Sequence, residues 1–220
     1  MRYSGFKVFT EGLTGNKGWK PVWRDPEPKS EYDIVLIGGG GHGLSTAYYL
    51  AKVHGITNVA VVDKAYLGSG GSGRNTAIVR SNYLTPEGVA FYDRSLTLYN
   101  TMATDLNLNV MFSRRGHLTL AHTDSALRTM HWRAAVNKLQ GIDSSVIDPQ
   151  EVKKQAPSLD ISSDTRYPIL GALHHPPGGI VRHDAVVWGY ARGADVHDVH
   201  ILQETEVLDI MVEGGSGPGG

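Results

Sequence analysis

The 220-residue chain has no cysteine, no excess of either charge and no long apolar run. Without cysteine it forms no disulfide and no thiolate metal site, which suits a reducing cytoplasm. Because 21 basic residues balance 22 acidic ones, no surface for nucleic acid or a membrane is indicated. No window is long enough to span a bilayer, and the N-terminus lacks the apolar core of a signal peptide. These absences predict a soluble, cytoplasmic protein.

Residues 1–32 are predicted to form an irregular N-terminal arm, because they end in a polar, proline-bearing stretch. The arm is rich in aromatic residues, namely Tyr3, Phe6, Phe9, Trp19 and Trp23. This is too many for a disordered tail. The arm is therefore expected to pack, either on its own domain or on a partner subunit.

Regular structure is predicted to begin at residue 33 with a strand, a helix and a second strand. Ile34–Ile37 and Val59–Val62 are continuous apolar runs, as expected for strands buried on both faces of a parallel sheet. The helix between them has one apolar face, formed by Leu44, Ala47, Leu50 and Ala51. This order predicts a βαβ unit.

Glycines fill the turn between the first strand and the helix, where Gly38, Gly40 and Gly43 satisfy the pattern G-x-G-x-x-G. The first permits a tight turn, the second lets the backbone approach a pyrophosphate, and the third allows close packing of helix on strand. The helix N-terminus offers N–H groups and partial positive charge to the phosphates. Asp63 ends the second strand 20 residues after Gly43, where a carboxylate accepts hydrogen bonds from ribose hydroxyls. The sequence therefore predicts a dinucleotide site.

A second glycine-rich loop, residues 67–76, follows Asp63 and contains Arg74. Such a loop suits a long, extended cofactor whose pyrophosphate and ribityl chain need backbone donors and a cation. This feature favours FAD over NAD as the dinucleotide.

The middle of the chain predicts helices at 87–105 and 123–139, and strands at 116–121 and 169–173. The two strands are predicted to pair, which would give a mostly antiparallel sheet inserted into the nucleotide domain.

Toward the end of the chain, Asp184 is predicted to be the N-cap of another helix. Its inward residues would be Val186, Val187, Tyr190, Ala191 and Ala194. Strands are predicted at 200–203 and 207–210. Residues 214–220 have the composition of a linker.

Several stretches carry a resemblance to a known family; the longest is YDIVLIGGGGHGLSTAYYLAKVHGITNVAVVDKAYLGSGGSGRNTAIVRSNYL, residues 32–84. Together with residues 112–122, 165–173 and 178–195, it resembles the β subunit of the heterotetrameric sarcosine oxidases. The similarity extends over residues 1–212, and the family subunit is nearly twice as long as this chain.

The resemblance implies an α/β fold. A Rossmann-like FAD-binding domain would carry an inserted, mostly antiparallel α+β substrate domain, and the fold would be incomplete because the C-terminal half is absent. The implied segments are an N-terminal arm at 1–32, the dinucleotide-binding βαβ unit and flavin loop at 33–86, part of the substrate domain at 87–182, a return to the FAD-binding domain at 183–213 and a glycine-rich tail at 214–220.

The activity that the resemblance implies is flavin-dependent oxidative demethylation of sarcosine to glycine. The family complex contains alpha, gamma and delta type subunits, noncovalent FAD, a covalent FMN at a subunit interface, and NAD on another subunit. Electrons pass from FAD through FMN to oxygen, and tetrahydrofolate takes the one-carbon unit. The alternatives are a dye-linked proline or dimethylglycine dehydrogenase subunit, or a non-catalytic flavin-binding or assembly fragment. No flavin can be attached through sulfur, because the chain has no cysteine.

Arg80 is the catalytic residue that the resemblance implies. The matching arginine of related amine oxidases holds the substrate carboxylate, a role that suits the two-donor edge of a guanidinium. The alternative is a structural ion pair.

His183 matches the histidine to which FMN is attached. Attachment requires a neutral imidazole, and the charge of Arg182 is expected to favour that form. The alternative is an ordinary surface histidine. The other implied cofactor-binding residues are Gly38, Gly40, Gly41, His42, Gly43, Asp63, Lys64, Arg74, Asn75, Thr76, Ile78 and Val207.

Three histidine pairs raise the question of a metal site, namely His117 and His122, His174 and His175, and His197 and His200. The first pair would face opposite sides of a strand. The second is adjacent in sequence, and the third lacks an obvious third ligand. No metal site is predicted.

Overall fold

A computed structural model describes residues 4–212 of the chain. Its helices and strands are, in chain order, α1 Gly5–Leu13, β1 Ile34–Ile37, α2 Gly41–His54, β2 Val59–Val62, β3 Ile78–Val79, α3 Pro86–Asp105, β4 His117–Ala121, α4 Asp124–Leu139, β5 Ser145–Ile147, α5 Pro149–Gln155, β6 Gly171–His175, β7 Gly179–Ile180, α6 His183–Val196 and β8 His200–Leu202. The glycine-rich tail predicted at 214–220, and residue 213 before it, lie outside the described residues.

The chain divides into two compact units. The first unit runs to Ser69 and resumes at Tyr190, and the second unit is Gly70–Gly189. Within residues 4–212, no helix has both the length and the apolar character needed to cross a membrane.

The first unit contains a three-stranded parallel sheet in the order β1-β2-β8. Ile34 lies opposite Val59, and Ala60 lies opposite His200. Helix α2 connects β1 to β2 and ends at His54, and the next residue, Gly55, caps it with a φ of +68° that favours glycine. The predicted βαβ unit and the strand predicted at 200–203 are confirmed.

The core of the first unit lies along β2, whose four residues are all buried. Ala60, Val62 and Leu202 form one apolar cluster, and Tyr32 packs against it. Helix α2 buries Leu44, Ala47, Tyr48 and Ala51. Tyr48 takes the place predicted for Leu50, which is only partly buried.

Strand β1 is covered on one face only. Val35 is 51% exposed and Ile37 is 61% exposed, while Ile34 and Leu36 are partly buried. The prediction that β1 is buried on both faces is wrong for residues 4–212. The alternation has period two because successive side chains of a strand point to opposite faces.

The N-terminal arm begins with helix α1, where the sequence predicted irregular structure. The Ser4 side chain caps it by accepting a hydrogen bond from Lys7 N at 3.2 Å. Phe6, Phe9 and Leu13 lie on one face but are 78%, 64% and 74% exposed, and no residue of α1 is buried. The contacts between the arm and the rest of the first unit are made by residues that follow α1 in the chain.

Arg24 attaches the later part of the arm to the end of α6. Its Nε donates to Asp195 Oδ1 at 2.7 Å, and its Nη1 donates to Asp198 Oδ1 at 3.1 Å. Tyr32 also contacts His200 of β8, with 2.9 Å between the phenolic oxygen and Nδ1. The expected packing of the arm on its own domain therefore holds for the residues around Arg24 and Tyr32, and not for α1.

The second unit contains a three-stranded antiparallel sheet in the order β4-β6-β5. Leu173 of β6 packs with Met130 of α4, and its neighbour Ala172 packs with Val152 of α5. Adjacent strand residues face opposite ways, so the two helices cover opposite faces of the sheet. The predicted pairing of the two strands, the helices α3 and α4, and a mostly antiparallel α+β insertion are confirmed.

A two-stranded antiparallel ladder, β3 with β7, also lies in the second unit and was not predicted. Ile78 lies opposite Ile180, and Val181 N donates to Ala77 O at 3.0 Å. The ladder therefore holds the segment before α6 against the segment before Arg80.

Two predictions near the end of the chain are wrong. Residues 207–210 form no strand; Leu208 is 90% exposed, and no described strand pairs with this segment. Asp184 is not an N-cap, because α6 already begins at His183. Asp184 Oδ1 instead accepts from Ala185 N at 2.9 Å within the first turn. The residues predicted to face inward are all buried, namely Val186, Val187, Tyr190, Ala191 and Ala194.

Candidate functional site

The turn between β1 and α2 has the geometry that its glycines predict. Gly38 has a φ of +113°, a conformation that side chains rarely adopt, and its N–H donates to Val62 O at 2.8 Å. A Cβ added to Gly43 would lie 2.0 Å from Gly38 O, a main-chain atom that cannot move aside. Position 43 therefore requires glycine, because the first turn of α2 passes directly over the end of β1.

Asp63 lies at the end of β2 and braces this turn. Its Oδ2 accepts a hydrogen bond from Gly39 N at 2.7 Å, and its Oδ1 accepts one from Ala65 N at 2.9 Å. A carboxylate has about four acceptor positions, so two of them remain for ribose hydroxyls. The support of the Gly39 amide was not predicted from the sequence.

The first residues of the second glycine-rich loop contact the glycine turn between β1 and α2. Gly68 N donates to Gly39 O at 3.0 Å, and the buried Leu67 donates its N–H to Gln203 Oε1 at 3.0 Å. A Cβ on Gly39 would lie 2.5 Å from Leu67 Cδ2. In the first unit, the structure therefore brings Gly38–Gly43, Asp63 and the first residues of the second loop together.

The rest of the second loop belongs to the second unit and folds on itself. Asn75 Nδ2 donates to Ser72 O at 2.7 Å and to Gly71 O at 3.2 Å, and its Oδ1 accepts from Ala77 N at 2.6 Å. Asn75 therefore has a structural role in shaping the loop. Six further residues predicted to bind the cofactor have exposed side chains, namely His42, Lys64, Arg74, Thr76, Ile78 and Val207. Their role in binding stays a prediction.

Arg80 follows β3 in the second unit. Its Nη1 donates to Asn82 Oδ1 at 3.0 Å, and its Cζ lies 4.4 Å from the centre of the Tyr83 ring. It forms no ion pair with a carboxylate within residues 4–212. The structural ion pair considered as an alternative role is therefore not seen in the described part.

His183 is the first residue of α6, and its Nδ1 is buried without a hydrogen-bond partner among the described residues. Arg182 does not act on it as an unpaired charge. Arg182 forms an ion pair with Asp184, in which Nε lies 2.9 Å from Oδ1. This contact raises the pKa of Arg182 and lowers the pKa of Asp184. The charge of Arg182, which was expected to act on His183, is therefore paired with Asp184.

Two histidines lie opposite each other on adjacent strands of the sheet in the second unit, His117 on β4 and His175 on β6. His175 is fully buried; its Nδ1 lies 2.7 Å from Asp143 O, and its Nε2 accepts from Ser81 N at 3.2 Å. These partners assign a neutral imidazole with the proton on Nδ1. Burial lowers the pKa of both histidines, that of His117 to about 4.

Sequence reasoning missed the surroundings of Arg80. Arg133 of α4 donates two hydrogen bonds to the main-chain oxygen of Asn82, and Asn137 of the same helix donates to Tyr83 O at 2.6 Å. These contacts join residues more than 50 positions apart, so no local pattern predicts them. Among residues 4–212, no group of three or more histidine or acidic side chains is placed to hold a metal ion.

The glycine turn, the acidic residue that braces it and the inserted antiparallel unit are those of a flavin-dependent oxidoreductase. The sequence profile of the FAD dependent oxidoreductase family matches residues 33–220, and the chain belongs to this family.

Within the family, the chain is similar to proteins named sarcosine oxidase subunit beta. It is 50% identical to the one from Rhodobacter capsulatus over 214 residues, which cover 97% of this chain and 51% of that protein. It is 47% identical to the one from Arthrobacter over 193 residues, which cover 88% of this chain and 48% of that protein. The chain thus spans about half the length of the curated relatives that it matches.

Solved structures show the same fold. The crystal structure of L-proline dehydrogenase from P. horikoshii matches with a TM-score of 0.77 and 27% identity, over 85% of this chain and 48% of that one.

Proposed function

We propose that this chain is the FAD-binding part of a sarcosine oxidase β subunit, which oxidatively demethylates sarcosine to glycine. The observation that carries the proposal is the 47–50% identity to subunits of that name, in comparisons that cover 88–98% of this chain. The chain's membership of a family of FAD dependent oxidoreductases supports the same chemistry.

The residues of the first unit fit FAD. The positive φ of Gly38 and the absence of a side chain at Gly43 allow a diphosphate to approach the first turn of α2. Asp63 holds the Gly39 amide in place and keeps acceptor positions for the adenosine ribose. FAD, when bound, supplies the oxidant for removal of a hydride from the N-methyl carbon of sarcosine.

Arg80 is proposed to bind the carboxylate of sarcosine. Its guanidinium uses only Nη1 in a hydrogen bond to the described residues, so its other donors remain for a ligand. Two-donor binding of a carboxylate would orient the amine and its N-methyl group.

His183 is proposed to carry the covalent FMN. Because its Nδ1 is buried, we assign the bond to Nε2. Two observations support this site, namely the similarity of residues 178–195 to the family and the ladder of β3 with β7, which fixes the chain just before His183.

The partners proposed are subunits of the alpha, gamma and delta type, with NAD on one of them and tetrahydrofolate as the acceptor of the one-carbon unit. The exposed apolar face of α1 supports a subunit contact, because Phe6, Phe9 and Leu13 recur at helical spacing without burial. The cytoplasmic location predicted from the absence of cysteine stays a prediction.

A second candidate is a proline dehydrogenase subunit that passes electrons to a carrier other than oxygen. The match to the proline dehydrogenase structure supports this candidate. The sequence identity of this chain to that protein is 27%, well below its identity to the sarcosine oxidase subunits.

The test is co-expression of the full-length subunit with its neighbouring subunit genes, followed by assay of sarcosine and proline as substrates. We expect hydrogen peroxide and glycine from sarcosine, and little turnover of proline. Turnover of proline with an artificial acceptor, without peroxide from sarcosine, would establish the second candidate instead.

A further inference from the structure

Asn82 is a fully buried residue that contacts two arginine side chains of the second unit. Its main-chain oxygen accepts from Arg133 Nε at 3.0 Å and from Arg133 Nη2 at 2.6 Å. Its side-chain Oδ1 accepts from Arg80 Nη1 at 3.0 Å. One buried residue therefore links two guanidinium groups.

Among the described residues, no carboxylate pairs with the positive charges of this cluster. Neither Arg80 nor Arg133 forms an ion pair within residues 4–212. Burial lowers the pKa of Arg133, and the charge of Arg80 lowers it further. Both arginines are partly buried, and a charge that is partly removed from water is stabilised by a nearby charge of opposite sign. An anion bound beside these groups would supply the missing partner.

The cluster also contains a donor without an acceptor. Asn82 Nδ2 is buried and has no hydrogen-bond partner among the described residues. Arg80 fixes the orientation of the amide, because only the amide oxygen can accept from a guanidinium. Buried N–H groups normally have partners, and an oxygen of a bound anion would be one.

We propose that Asn82 and Arg133 are positioning residues of a carboxylate-binding site centred on Arg80. Arg133 fixes the main chain at Asn82, and the Asn82 side chain then fixes one edge of the Arg80 guanidinium. The ring of Tyr83 supports the plane of that guanidinium. The proposal rests on the proposed function in taking the carboxylate to be that of an amino acid substrate.

A purely structural Arg133 would act differently. It would tie α4 to the segment after β3 and contribute to stability, but its loss would not change the affinity for a carboxylate in protein that still folds. Carboxylate affinity, measured apart from turnover, therefore separates the two roles.

The experiment uses the complete assembled enzyme and acetate as a probe for the carboxylate group alone. Acetate affinity is measured by calorimetry, and sarcosine KM and kcat are measured on the same preparations. The variants are Arg133→Met, Arg133→Lys and Asn82→Ala. The matched control is Arg128→Met, which removes an exposed arginine from the same helix.

Arg133→Met and Asn82→Ala are expected to weaken acetate binding and to raise sarcosine KM about tenfold or more, with a smaller effect on kcat. Arg133→Lys is expected to show part of the loss, because the charge remains while the two-donor contact is gone. Arg128→Met is expected to match the wild type in both measurements.

Wild-type acetate affinity in a folded Arg133→Met enzyme would overturn the proposal, as would the absence of acetate binding to the wild type. If Arg133→Met does not fold, an Arg133→Lys enzyme with unchanged acetate affinity would also overturn it. Acetate binding that depends on Arg133, in an enzyme that does not oxidise sarcosine, would refute the proposed function and leave this inference standing. Sarcosine oxidation that is insensitive to Arg133 would refute this inference alone.

Discussion

Acid should destabilise the protein through His117, and the structure gives both the direction and the size of the effect. Burial, then the charges of Arg80, His175 and Arg133, lower the pKa of His117 from 6.5 to about 4. Its Nδ1 is also buried without a partner, so a proton there would have no acceptor among the described residues. The folded state therefore takes up this proton less readily than the unfolded chain does.

The stabilising contribution of neutral His117 is complete above pH 6.5 and is lost as the pH falls toward 4. A tenfold change in proton affinity corresponds to about 1.4 kcal/mol, so the window from pH 6.5 down to about pH 4 is worth at most about 3.5 kcal/mol. The pKa of the buried His175 is lowered as well, so it acts in the same direction.

The assay is urea-induced unfolding of the purified protein at pH 7.5 and pH 4.5. His117→Gln keeps a polar side chain that does not titrate, and His131→Gln removes an exposed histidine of α4 as the matched control. Wild type and His131→Gln should lose about 2 to 3 kcal/mol more than His117→Gln between the two pH values. An equal loss in all three proteins would refute the reasoning.

Three further predictions concern the proposed flavin and substrate sites. Gly43→Ala should reduce FAD content and stability, since its Cβ would lie 2.0 Å from Gly38 O. Gly12→Ala, with open space around it in helix α1, should reduce neither, because alanine is favoured over glycine within a helix. Normal FAD content in Gly43→Ala would contradict the assigned geometry. Arg80→Lys should raise sarcosine KM at unchanged FAD content, because lysine lacks the two-donor edge, and an unchanged KM would make the arginine structural. Peptide mass spectrometry of the assembled enzyme should find a flavin adduct on the His183 peptide that is missing in His183→Gln; an unmodified peptide from active wild type would exclude the attachment.

The βαβ unit could be predicted because its signals are local and agree with one another. The apolar runs of β1 and β2, the glycine turn and the apolar face of α2 each indicate the same unit. The exposure of Val35 and Ile37 could not be predicted, because an apolar strand has the same sequence whether one or both of its faces are covered.

Some missed elements did have local signals. Ser4 and the spacing of Phe6, Phe9 and Leu13 are typical of a capped amphipathic helix, yet the polar, proline-bearing stretch at the end of the arm favoured irregular structure for the whole of it. Asp148 caps α5 by accepting from Glu151 N at 2.8 Å, and the order Asp-Pro-x-Glu is a recognisable helix start.

The strand predicted at 207–210 shows the opposite error. Its apolar composition fits a strand, but a strand needs a neighbour to satisfy its backbone groups, and no described strand pairs with it. The surroundings of Arg80 could not be predicted for a related reason. Asn82 meets Arg133 only once β3 and α4 are folded together. The family resemblance therefore points to Arg80, and no pattern in the sequence points to the residues that hold it.

Gly38–Gly43 and Asp63 are proposed to hold FAD, and the FAD affinity of Asp63 variants tests this role most directly. Asp63→Ala removes the brace on the Gly39 amide and the acceptor for the ribose, and hydrogen bonds to a charged group are worth about 1.5 to 3 kcal/mol each. Folded Asp63→Ala protein should therefore bind FAD at least about tenfold more weakly by flavin absorbance titration. Asp33→Ala, which removes an exposed carboxylate just before β1, should bind FAD like the wild type. Unchanged FAD affinity in folded Asp63→Ala would contradict the claim.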